Sequence, residues 1–147
     1  MFDKYLVPLY MLYFMHGELR GRTRFQKLVF LTKEKLKEED RDIGLQFSRL
    51  FYGPFSRDLR DSLKTHIKEG TVEESVYESS YGLVYIYKLT DEGRDLVENS
   101  LRRGLIPQEV KKKIEQVARE YGDKPLDELI ATVYRDYPQY DSHKAVF

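Results

Sequence analysis

A chain of 147 residues has the size of one domain with an appendage, long enough to bury a core. Its 25 basic and 25 acidic residues cancel, which excludes general attraction to nucleic acid or anionic membrane and requires a local patch for any such binding. Cysteine is absent, so disulfides, thiol catalysis and cysteine-based zinc sites are excluded together.

The opening run MFDKYLVPLYMLYFMHGEL has no basic leader and no small-residue cleavage site, and its apolar part is too short to span a bilayer. It predicts a buried first helix, Tyr5 to Met15, with Pro8 in the first turn, in a cytoplasmic protein with no membrane association. Gly17 and Gly21 then bound a turn carrying Arg20, Arg22 and Arg24. From Thr23, a candidate N-cap, Phe25, Leu28, Val29, Leu31 and Leu36 mark one face of a second helix.

Residues 41–55 lose the helical rhythm: Leu45, Phe47 and the run 50–52 predict a short extended piece ended by Gly53-Pro54. Ser56 caps a third helix with Leu59, Leu63 and Ile67 inward, stopped at Gly70. Two β-rich runs joined across Ser79 to Gly82 predict a hairpin, which leaves through Thr90 into a helix with Leu96, Val97 and Leu101 inward. Gly104 stops that helix. Pro107 opens a fifth, with Val110, Ile114, Val117 and Ala118 on one side, and Pro125 opens a sixth, with Leu126, Leu129, Ile130, Val133 and Tyr134. The expected fold is α+β: a winged-helix-like domain over residues 1–104 and a C-terminal helical extension over 105–147 packed on it.

The runs RFQKLVFL (24–31) and YGPFSRDLRDSL (52–63), the isolated Gly70, the YKLTDEGR junction (87–94) and the closing LDELIATVYRDYPQY (126–140) together resemble the YwgA-like and Panacea-type (SocA-like) proteins. The resemblance implies a winged-helix-like fold in a prokaryotic protein, with an antitoxin or proteolytic-adaptor role among some Panacea-type relatives. It implies no catalytic residue. One departure from a DNA-binding helix-turn-helix is plain: some seventeen residues (39–55) separate the second and third helices, where that motif has a turn of three or four.

For nucleic acid the candidate contacts are Arg57, Arg60, Lys64 and Lys68 on the third helix, with Asp58 and Asp61 among them, and Arg20, Arg22 and Arg24 in the basic loop, with Lys27 one turn on. The alternative for both sets is a solvated face of paired charges. The hairpin tip is not basic; with Tyr77, Tyr81, Tyr85 and Tyr87 it suits a protein partner better than a minor groove. Tyr134, Tyr137 and Tyr140 would either mediate a homodimer or close over the first helix.

His16, His66 and His143 form no metal-binding spacing, and no Gly-rich loop or nucleophile motif occurs, so neither metal, cofactor nor catalysis is expected. A charged fraction of 34%, a single asparagine and no cysteine match the bias of hyperthermophile proteins. The expected function is therefore a non-enzymatic DNA-binding or transcription-regulator-like protein, and the alternative is a protein-interaction module of antitoxin or adaptor type.

Overall fold

The computed structural model describes residues 3–50 and 53–141; Phe51, Tyr52 and His143, named above, lie outside them. Among the described residues the fold is α+β, with six α-helices and a small antiparallel sheet. A 3-10 turn leads into α1 (Val7–Phe14), which carries Pro8 in its first turn as the missing N–H requires. Every residue from Val7 to Leu12 is buried, because α1 is packed against α2 (Arg22–Lys37), α3 (Arg57–Glu69), α4 (Asp91–Arg102) and α5 (Gln108–Tyr121).

Between α1 and α2 lies β1 (Glu18–Arg20), a strand where the sequence suggested only a turn. It pairs with β5 (Gly82–Leu89), which also pairs with β4 (Val72–Ser79), giving the order β1-β5-β4. Strand alternation puts Leu19, Val72, Tyr87 and Leu89 on the buried face and Glu18, Arg20, Ile86 and Lys88 on the other. Tyr87 meets Phe25 of α2 edge-on at 5.7 Å. Beyond Ile86 the ribbon extends past β1, and a two-residue turn closes the hairpin at Ser80-Tyr81.

The expected hairpin, the Ser56 and Thr90 caps and the Gly70 stop are all present: Ser56 accepts from the Leu59 N–H, Thr90 from the Gly93 N–H, and Gly70 is left-handed. Thr23, however, lies inside α2, and the chain turns into that helix at Gly21, whose φ of 95° suits glycine. Gly53-Pro54 does not end the extended piece but belongs to β3 (Gly53–Phe55), paired with β2 (Ser48–Leu50) in a separate two-stranded ribbon. Leu96 is exposed, since Gly93, Val97 and Ser100 define the inward face of α4, and Leu126 is exposed at the start of α6 (Leu126–Asp136).

Among the described residues one hydrophobic cluster runs from Val7 through Phe30, Leu59 and Tyr87 to Ile114, Leu129 and Val133, so α5 and α6 share the core of the preceding elements. The C-terminal tyrosines close over α2 rather than α1. Tyr137 and Tyr140 meet Phe30 edge-on at 5.2 and 4.7 Å, and Tyr134 lies against Gly53.

Candidate nucleic-acid interface

The amphipathic phase of α3 decides what it shows to solvent. Leu59, Leu63 and His66 turn inward, which leaves Arg57, Asp61, Lys64 and Lys68 at i, i+4, i+7 and i+11 along the outer face, all exposed, with Arg60 and Thr65 on its flanks. Asp58 lies 3.2 Å from the Lys4 ammonium, and Asp61 lies 3.2 Å from the Arg60 guanidinium. Both carboxylates of the helix's first two turns are thereby paired. Among the described residues Arg57, Lys64 and Lys68 have no ion pair, so the outer stripe is net positive.

The stripe is held in place from inside by a buried amide. Gln26 of α2 donates through Nε2 to the Ser56 carbonyl at 3.0 Å and accepts the Ser56 N–H at 2.8 Å. This two-way bond fixes the N-terminus of α3 against α2 across the long spacer, which folds aside as β2 and β3, β3 against α2 and α6 and β2 against the 3-10 turn Pro138–Tyr140. Sequence reading missed Gln26; the only signal was a polar residue inside the apolar run RFQKLVFL.

The basic loop divides. Arg22 extends its guanidinium 3.4 Å above the Tyr85 ring and faces the same cleft as Arg60 and Lys64, so it joins the α3 side. Arg20 projects from the opposite face of the sheet and pairs with Glu18 at 3.4 Å. Arg24 turns inward, its Nη1 donating to the carbonyls of Gly122 at 3.0 Å and Lys124 at 2.6 Å; burial lowers its pKa. It clamps the α5–α6 turn. Lys27, read as a phosphate ligand, is a core residue only 1% exposed, and burial pushes its pKa down to about 8. The positive face thus comprises Arg22, Arg57, Arg60, Lys64 and Lys68.

The hairpin is of another character. Tyr81 at its tip is 99% exposed, Leu83 58%, Val76 47% and Tyr77 42%. Glu73, Glu74 and Glu78 lie on β4, the free edge of the sheet, and no cation lies on β4. Tyr85 and Tyr87 are not part of this exposed set: Arg22 covers the first, and the second is buried. Burial first, and the Glu74 carboxylate second, push the Tyr87 hydroxyl well above the ordinary phenol range.

No protein-family model matches the chain, and no curated protein matches it.

Proposed function

We propose that this is a non-enzymatic winged-helix protein that binds duplex DNA, with α3 as the helix applied to the groove. The order of helix, strand, two helices and hairpin, with strands arranged β1-β5-β4, supports the winged-helix reading, as does the resemblance to YwgA-like and Panacea-type proteins. The observation that carries the DNA reading is the outer stripe of α3: Arg57, Lys64 and Lys68 stand unpaired among the described residues while both neighbouring carboxylates are neutralised by Lys4 and Arg60. Such a stripe contacts phosphates whatever the sequence and base edges where the register allows.

The test is fluorescence anisotropy with a random-sequence duplex at low salt. Arg57→Ala combined with Lys64→Ala is expected to weaken binding at least tenfold, whereas Arg20→Ala, on the other face of the sheet, leaves it within about twofold. Equal effects from the two sides sink the assignment of the face.

The hairpin favours a second reading, a protein-interaction module of antitoxin or adaptor type. Exposed Tyr77, Tyr81, Val76 and Leu83 beside the acidic edge of β4 suit an apolar, basic protein segment and repel phosphate. A photoreactive residue at position 81 is expected to crosslink one discrete partner in cells under this reading, and Leu83→Ser is expected to abolish the adduct.

A further inference from the structure

Between α3 and the sheet lies a cleft of about 560 Å³, within the size range of small-molecule sites. Its floor is apolar: Phe25 from α2, Phe55 from β3, and Leu59, Leu63 and Ile67 along one side of α3. One wall is the sheet, where the Tyr87 ring meets Phe25 at 5.7 Å and its hydroxyl faces Glu74 and Arg22. The rim carries Arg22, Arg60 and Lys64.

These polar groups are not equivalent. Glu74 is turned to the Tyr87 hydroxyl, Arg60 is 3.2 Å from Asp61, and Arg22 is stacked on Tyr85. Lys64 has no ion pair among the described residues and stands where the apolar floor meets solvent. Among the described residues three cations and one carboxylate line the cleft, so its charge is complementary to an anion. An apolar body on the floor and a carboxylate at the rim satisfy both halves of the lining at once.

We propose that the cleft binds a small amphipathic anion, an aromatic carboxylate whose ring lies on Phe25, Leu63 and Ile67 and whose carboxylate meets Lys64. Arg22 and Arg60 flank that carboxylate with their remaining N–H donors. Because Arg22, Arg60 and Lys64 also belong to the positive face formed by α3 and the start of α2, the acid and DNA compete for the same cations, so that each weakens the other. The competition rests on the DNA reading above, whereas the site itself does not.

The test is isothermal titration calorimetry of the full chain without DNA, using 1-naphthoate and its neutral counterpart 1-naphthalenemethanol. Saturable one-to-one binding is expected, at least tenfold tighter for the acid. Lys64→Met, at an exposed position, is expected to leave the thermal midpoint unchanged and to reduce the acid to the affinity of the alcohol. Ile67→Trp, at a half-buried position, is expected to fill the cleft and eliminate both. No saturable heat, equal affinities for acid and alcohol, or naphthoate binding that survives both substitutions overturns the site. Naphthoate added to the protein–DNA complex is then expected to release the duplex. Naphthoate binding without release removes the competition and leaves the site standing; a chain that binds naphthoate and never binds DNA removes only the DNA reading.

Discussion

His66 shows how a single side chain can carry structure that composition hides. Its Nε2 lies 2.7 Å from the Tyr5 carbonyl, which can only accept, so Nε2 holds a proton; Nδ1 lies 2.8 Å from the Thr71 hydroxyl, which is also 3.1 Å from the His66 carbonyl. The ring is buried beneath Tyr5, with centroids 4.0 Å apart, and tethers α3 to the segment preceding α1. Burial lowers its pKa below 6.5, outweighing the Tyr5 carbonyl, Glu69 and Asp3, which act the other way. Below about pH 6.5 the unfolded chain therefore binds a proton that the folded chain resists, and stability falls with pH through that window. Thermal midpoints measured between pH 7.5 and 5.5 are expected to decline for the native chain and to decline less steeply for His66→Gln.

Lys27 titrates at the other end of the range. Its folded pKa of about 8, against 10.5 for an ordinary lysine, means that burying the ammonium costs stability below pH 8, a cost relieved as pH rises toward 10.5. Lys27→Met keeps the length of the side chain and removes its charge. The native chain is expected to gain stability relative to Lys27→Met as pH rises from 8 to 10.5, as urea denaturation across that range would show. A less stable variant at pH 7 would mean that contacts of the ammonium outweigh its desolvation.

At the scale of elements, the junctions carry the specificity. Gln26→Leu leaves the Ser56 N–H buried without its partner, while the Ser56 carbonyl keeps the Arg60 N–H, and is expected to cost about 1–3 kcal/mol in chemical denaturation. Gly93 is fixed by close approach: a Cβ there would sit 2.2 Å from the Thr71 carbonyl oxygen, so Gly93→Ala must shift the backbone where the hairpin enters α4 and is expected to lower stability by more than Thr90→Ala, whose lost cap costs about 1 kcal/mol. The glycine of the LTDEGR junction is thus a packing requirement. The helices, the caps of α3 and α4 and the long hairpin were legible because their signals are local: periodicity, a hydroxyl at Ser56 or Thr90, a left-handed Gly70; Thr23 misled because α2 begins at a glycine turn and has no side-chain cap. Strand β1 was not, because three residues between two glycines carry no period and become a strand only when β5 arrives beside them.

For the whole molecule, the same distinction separates the visible part of the candidate site from the hidden part. The α3 stripe could be read from sequence, since a helix's outer face follows from its inner one. The division of the arginines could not. Arg20, Arg22 and Arg24 alternate in the chain, yet pairing to β5 sends the first to the far face, Tyr85 holds the second beside α3, and the Gly122 and Lys124 carbonyls draw the third inward. Likewise, zero net charge concealed a positive helix and an acidic hairpin edge, because charges cancel in a sum while a groove or a partner meets them locally. The C-terminal helices complete one core with the rest, and Phe30 receives Tyr137 and Tyr140 from elements more than a hundred positions away.

Contact of the α3 stripe and Arg22 with phosphates is measured most directly by the salt dependence of duplex DNA affinity. Four such contacts, from Arg22, Arg57, Lys64 and Lys68, give an expected slope of log affinity against log salt of roughly −3 to −4, with Lys64→Ala making it shallower by about 1. An absence of binding at low salt, or a slope unchanged by Lys64→Ala, would contradict it.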